Sequence, residues 1–392
     1  MRYDFETLAP AAEHGIPWLH TTHTHTAEHP EYVNFGVAEM KFALLPEIAE
    51  TLAQLGQAGT LGYVDPTPAF RDAVAAWQKA RHDWDIQADW YRLLFGVVPG
   101  IGAAIRAFTR PGEGVIVQTP AYPPFFSAVR DNSRRLAENR LVLRGNRWEM
   151  DFEGLEALAA QPDTTAMLLC SPHNPTGRVW SAEELDRVAD ICRRHGVYVI
   201  SDEIHSDIIM PGHTHTVFSR ASGGARHTVL TAPSKTFSIP GMTCAFSFTP
   251  DAEDRAVLHR VMARDMGGYT NAPGIAVCAA AYTHGAAWLD ECCAVIAHNT
   301  DLLRDALAAF LPKARLYDAE GTYLRWVDFS ALGLDRKALE AAFERAHVHA
   351  FAGSSFELRE SLCFRINVAC PSRFIEPAVR RLSEAVKEGV CL

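Results

Sequence analysis

The chain has 392 residues, 48% hydrophobic and 21% charged, the composition of an ordinary globular protein with room for one large domain and a smaller one. Its 37 basic and 47 acidic residues leave a formal net charge of −10, which excludes a broad positive surface for nucleic acid or anionic lipid. The sequence has no apolar run of about 18 residues to span a membrane and no secretory signal in MRYDFETLAPAAEHG; its nine cysteines form no CxxC, so disulfide frameworks and zinc modules are disfavoured and a reducing cytoplasm fits.

The first residues resist assignment, and a segment 1–45 is expected to pack on the smaller domain. From about Tyr91 to Phe248, β-rich apolar runs alternate with amphipathic or alanine-rich stretches, the pattern of parallel strands joined by crossover helices. Strands are expected at Leu93–Val98, Val115–Thr119, Ala166–Cys170, Val197–Ser201, Thr228–Thr231 and Cys244–Phe248. Helices are expected at Ile101–Thr109, Pro124–Asp131, Ala182–His195 and Glu253–Met262, the third opened by Ser181 as a cap. This is a doubly wound, mostly parallel α/β domain, placed at 46–285. After Asn271 come helical patterns at Ile275–Tyr282 and Ala287–Ala309, strands at Tyr323–Asp328 and Leu362–Asn367, and a last helix at Ile375–Lys387. They describe a small α+β domain over 286–392.

In an open parallel sheet, ligands gather at the carboxyl ends of strands. The loops expected there are Val98-Pro-Gly-Ile-Gly102, Ser171-Pro-His-Asn-Pro-Thr-Gly177, Asp202-Glu-Ile-His205 and Ala232-Pro-Ser-Lys-Thr-Phe237. Lys235, between two hydroxyl residues, suits an amine that forms an imine with an aldehyde, or a surface ion pair. Asp202 suits the partner of a protonated ring nitrogen, or a turn cap. Asn174 stands between two prolines and suits a donor to a phenolic oxygen, or a plain Pro-Asn-Pro turn.

Asn174, Asp202 and Lys235 on successive strand ends resemble the fold-type I aminotransferases, over nearly the whole chain. The resemblance implies a pyridoxal 5'-phosphate cofactor carried by Lys235, which also shuttles protons, with Asn174 on the ring oxygen and Asp202 on the ring nitrogen. It makes the turn through Gly100, Ile101 and Gly102 the phosphate cradle, helped by Ser234, and stacks Tyr122 on the ring. A dinucleotide fingerprint is disfavoured, because its third glycine is missing where Ile105 stands. Arg365, in Phe364-Arg-Ile-Asn-Val-Ala369, is implied to clamp the substrate carboxylate. Tyr63, in Gly62-Tyr-Val, is implied to reach a neighbouring subunit's phosphate, and so implies a homodimer.

A narrower resemblance rests on Asp202-Glu-Ile-His-Ser-Asp207 with Pro211-Gly-His213, Ala232-Pro-Ser-Lys-Thr-Phe237, Gly96-Val-Val-Pro99 and Glu320-Gly-Thr-Tyr-Leu324. These strings are similar to the branch that contains cystathionine β-lyases and related C–S lyases. Ordinary aminotransferases usually carry tyrosine where His205 stands; His205 is counted among the cofactor contacts. The resemblance implies β-elimination from cystathionine or a related cysteine S-conjugate, with amino transfer to a 2-oxo acid as the alternative and a purely regulatory role as a third. The backbone of Val37 and Ala38 is expected beside the substrate carboxylate. There the branch's Val-Ala-Asp-Met-Asp is Val37-Ala-Glu-Met-Lys41, and its asparagine and alanine after the lysine loop are Ser238 and Pro240, so Glu39 and Lys41 bear on the preferred substrate.

Two histidine groups, His20 with His23 and His25, and His205 with His213 and His215, invite a metal. Solvated loops are the expectation, with no functional metal. Trp77, Trp84 and Trp90 are expected to pack in the core.

Overall fold

In a computed structural model, which describes residues 1–8, 32–59, 61–266, 271–357 and 361–390, the expected strands meet in one seven-stranded sheet. Across it the order is Tyr91–Leu94, Ala245–Phe248, His227–Thr231, Tyr198–Asp202, Thr164–Cys170, Gly114–Thr119 and Arg135–Arg140. Ala245–Phe248 runs antiparallel to both neighbours, and the other pairings are parallel. Both faces are covered, which explains the unbroken apolar runs. Val115, Val117 and Ile200 pack on one face with Ile101 and Ile105 of the helix Val97–Phe108. Ile116, Met167 and Val199 point to the other, against Leu185 and Val188.

The helix Ala182–His195 has the bounds its sequence suggests. The Glu184 amide donates to Ser181 Oγ at 3.2 Å, the Ser181 amide donates to Glu184 Oε2 at 2.8 Å, and Gly196 closes the helix at φ 70°.

The beginning of the sheet corrects the sequence reading. The strand expected at Leu93–Val98 is Tyr91–Leu94, and the helix expected at Ile101–Thr109 already starts at Val97. Two valines before a proline look like strand, yet Pro99 in a first turn sacrifices no helical hydrogen bond. Consequently Gly100 and Ile101 do not open the helix. The Gly100 amide already donates to the Gly96 carbonyl at 3.3 Å, and both residues face the core. The edge strand Arg135–Arg140 was not foreseen, because it buries only Ala137 and Asn139 and shows no apolar run. Helices Pro46–Gln57 and Pro68–His82 were likewise unassigned.

Beyond the large sheet, Arg315–Leu316, Leu324–Asp328, Cys363–Asn367 and Phe351–Ala352 form a four-stranded antiparallel sheet in that order. Helices Ala286–Phe310 and Ile375–Val390 pack with it in the largest core. Residues near the amino terminus join this core: Phe5 is buried with its ring 5.0 Å from Phe42 and 5.4 Å from Trp288, and Val33–Asn34 pairs in parallel with Val348–His349. Trp77 and Trp84 are buried as expected; Trp90 is half-buried beside Trp84. An ionic chain centred on the buried Arg178 ties the two sheets together. Arg178 donates from Nε to Glu320 Oε2 and from Nη2 to Glu184 Oε2, each at 2.8 Å, while Arg147 Nε reaches Glu320 Oε1 at 2.9 Å. Full pairing is what makes so buried a guanidinium tolerable.

Candidate active site

Parallel pairing sets the spacing of the chemistry. Cys170 and Leu230 lie opposite Asp202 on its two neighbouring strands, so the loops bearing Asn174 and Lys235 leave the sheet on either side of Asp202. At their ends is a cavity of about 210 Å³, lined by Ala38, Gly96–Pro99, Tyr122, Asn174, Asp202, His205, Ser234 and Lys235.

Lys235 sits in the one-turn helix Pro233–Thr236, and its Nζ donates to the Ala38 carbonyl oxygen at 2.7 Å. Burial lowers its pKa from 10.5 to about 8, reinforced by the Arg365 charge and opposed by Glu39 and Asp202. Asp202 is buried, and its Oδ1 accepts the Ile204 amide at 3.1 Å. Burial, with the charge of Glu203, raises it to about 7 against the pull of Ile204 and Lys235. A buried carboxylate in that condition favours a cationic N–H as neighbour. His205 is held neutral, its pKa lowered to about 3 by burial and then by the charges of Lys235 and Arg365. Its Nδ1 is buried without a hydrogen-bond partner among the described residues.

Arg365 arrives from the other sheet, on strand Cys363–Asn367. Nη1 donates to Asn174 Oδ1 at 3.0 Å and Nη2 to the Gly36 carbonyl at 2.8 Å, while Nε is buried without a partner among the described residues. The guanidinium lies 5.2 and 5.1 Å from the ring centres of Phe351 and Phe356, and burial pushes its pKa down to about 10.

Sequence reasoning missed what holds the segment at residues 36–40. Asn367 Nδ2 donates to the carbonyls of Val37 at 2.7 Å and Glu39 at 2.6 Å, and Tyr323 OH donates to the Ala38 carbonyl at 2.9 Å. The Met40 amide donates to Ser238 Oγ at 2.8 Å, so the serine at a position where the branch has asparagine fastens this segment to the lysine loop. Ala38 lines the cavity, whereas the Val37 carbonyl is taken by Asn367. Tyr323 lies within Glu320–Leu324, but no residue pattern announces a bond to a backbone carbonyl 285 positions away.

Gly100 and Ile101 do not line the cavity; the first turn beginning at Val97 does. The amides of Val97 and Val98 have no acceptor within the helix, which is the arrangement that receives a phosphate. Tyr63 is 89% exposed and lies outside the cavity lining. Of the histidines weighed for a metal, His20, His23 and His25 lie outside the described residues. His205 lines the lysine cavity; His213 and His215 border a second cavity of about 400 Å³ behind Asp207. Among the described residues no cluster of three or more histidine, cysteine or acidic side chains is placed to hold a metal ion.

The residues suit pyridoxal phosphate. Asp202 matches a protonated ring nitrogen, Lys235 an aldehyde, the Val97 turn a phosphate, and Arg365 Nε and His205 Nδ1 are buried polar atoms still open to a bound molecule.

The model of the family "Aminotransferase class I and II" matches residues 30–382. Cystathionine beta-lyase PatB of Bacillus subtilis is 35% identical over 353 residues, covering 89% of this chain and 91% of that protein. Protein MalY of Escherichia coli is 35% identical over 360 residues, 90% of this chain and 91% of its own length. The crystal structure of cystalysin from Treponema denticola, which contains pyridoxal 5'-phosphate, superimposes with a TM-score of 0.92 at 36% identity, covering 99% of this chain and 100% of that one.

Proposed function

Because the chain belongs to the class I and II aminotransferase family, we propose that it is a pyridoxal-phosphate-dependent C–S lyase acting on cystathionine or a related cysteine S-conjugate. The observation that carries this reading is the meeting of the buried Lys235 amine and the Asp202 carboxylate at one cavity, with the Arg365 guanidinium bonded to its lining residue Asn174, in a chain 35% identical to a cystathionine β-lyase. With cystathionine and one water the products are homocysteine, pyruvate and ammonia.

The cofactor, when bound, supplies an electron sink for the negative charge that develops at the substrate's Cα. Asp202 would hold the ring nitrogen's proton, and its burial would make that ion pair strong. Lys235 would hold the cofactor's aldehyde carbon and would be the base that takes the substrate's Cα proton. An amine lowered to about 8 is suited to that transfer near neutral pH. Arg365 holds the substrate carboxylate with the fork that Asn174 and Gly36 orient. Asn174 would steady the cofactor's ring oxygen, Tyr122 would cover its ring, and Ser234 and the Val97 turn would hold its phosphate. His205 stays neutral and so adds no further cation to those of Lys235 and Arg365.

We also propose a homodimer in which Tyr63 serves the partner's site; the exposure of Tyr63 and Leu61, and of Phe95 and Val98 at the cavity mouth, supports it. Among the described residues eight cysteines are unbonded thiols, which supports work in the reducing cytoplasm.

Purified protein reconstituted with pyridoxal phosphate should release thiol and pyruvate from L-cystathionine in equal amounts without an added oxo acid. If turnover required an oxo acid and returned its amino-acid partner, the chain would be an aminotransferase.

A further inference from the structure

Asp207 is a buried carboxylate with no part in the chemistry above, and it accepts from three side chains on two separate elements. Trp77 Nε1 reaches it at 3.1 Å, His82 Nε2 at 2.8 Å and Thr236 Oγ1 at 2.7 Å. His82, Thr236 and Arg81 together hold its pKa below the ordinary carboxylate value even though burial pulls the other way. Directly behind stands a second such pair, His215 with Glu203 at 2.9 Å, its imidazole edge-to-face with that of His82 at 5.6 Å. Ionised carboxylates are costly to bury unless every lone pair is engaged. A site that needed only filling would be filled by apolar groups.

The third donor indicates the use. Thr236 is the residue after Lys235 and the last of a four-residue helix that has no side-chain cap. One turn of helix does not hold itself. Its backbone ties, Phe237 N–H to the Pro233 carbonyl and Ile239 N–H to the Ser234 carbonyl, are internal to the loop. Thr236 therefore anchors the turn to a rigid acceptor outside it. Trp77 and His82, both on Pro68–His82, keep that acceptor in place, and the Trp77 ring stacks on Tyr282 at 4.9 Å.

We propose that Asp207 is a positioning residue for Lys235: by accepting from Thr236 it fixes the rotation of the lysine turn and hence the arc through which Nζ reaches the substrate's Cα. The inference rests on the reading of Lys235 as the cofactor-bearing lysine. Misplacing a reacting group by a fraction of an ångström lowers the rate of the step it performs while leaving binding largely intact.

The test uses holoenzyme and exchange of the Cα proton of L-alanine for deuterium, followed by proton NMR. Alanine has no leaving group at Cβ, so exchange reports the lysine's proton transfer whether the enzyme is a lyase or an aminotransferase. Thr236→Val, nearly isosteric, should exchange about tenfold more slowly per bound cofactor, with half-saturation by alanine within about twofold of wild type. Thr236→Ser, which restores the hydroxyl, should recover to within about threefold. Asp207→Asn should also be slow, and Thr236→Val added to it should cost nothing more. If Asp207→Asn does not fold, the valine and serine pair decides alone. Wild-type exchange in Thr236→Val, or Thr236→Ser as slow as valine, overturns the proposal. A wild-type holoenzyme that exchanges no Cα proton overturns the lysine assignment, and this inference with it. Exchange without thiol release from cystathionine overturns only the lyase reading.

Discussion

The titration of Lys235 is the most direct check on the site's electrostatics. With the ordinary pKa of 10.5, about 0.03% of the amine is neutral at pH 7, whereas at about 8 the fraction is about 9%, roughly a 300-fold gain in nucleophile. Apoprotein mixed with pyridoxal phosphate should therefore develop its visible band at a rate that rises with pH and levels off above about 8. After burial, the largest cause is the positive charge of Arg365. Removing it in Arg365→Met relieves the repulsion between like charges and should move the midpoint upward by as much as about one unit, slowing the reaction at pH 7 up to about tenfold. Stopped-flow absorbance across pH 6 to 10, with peptide mapping of the borohydride-reduced product to Lys235, measures both quantities. A wild-type midpoint near 10.5, or an Arg365→Met midpoint that stays or falls, would refute the electrostatic account.

Arg365→Ala should lower kcat/KM for cystathionine about a hundredfold, of order 3 kcal/mol, with cofactor content retained; steady-state kinetics with cofactor absorbance checks it. Mixed Tyr63→Phe and Lys235→Ala subunits should regain activity above either parent if the tyrosine serves its partner's site, and subunit exchange without that gain would place it elsewhere. Gly177→Ala should destabilise the fold by about 2 kcal/mol or more. Gly177 has φ +73°, and an added Cβ would stand 2.6 Å from Ala319 Cβ, so thermal unfolding of the holoenzyme should show a lower midpoint.

The sequence revealed these features unevenly, for physical reasons. Ala182–His195 was legible because its cap, its buried face and its terminal glycine are all local signals. The strand ends carrying Asn174, Asp202 and Lys235 were legible because apolar runs stop abruptly at polar loops there. Val97–Phe108 was misjudged at its start, where β-branched residues outweighed the proline signal, and it is Gly96–Pro99, not Gly100 and Ile101, that lines the cavity. Asn367, Tyr323 and Asp207 were invisible as site-builders, since each acts through a partner distant in sequence.

Adjacent strands of a sheet lie about 4.8 Å apart whatever their side chains, so the backbone acts as a ruler for the cavity floor. Three neighbouring strand ends give a fixed gauge of roughly 10 Å, comparable to a substituted pyridine ring, with Asp202 at its midpoint between the partners Cys170 and Leu230. Mutational drift in the helices covering the sheet can then leave the width of the reaction site unchanged. A slip of one residue in the strand Tyr198–Asp202 is different: it would turn the Asp202 carboxylate to the opposite face. Register along this central strand, more than the identity of its apolar residues, is what the chemistry constrains.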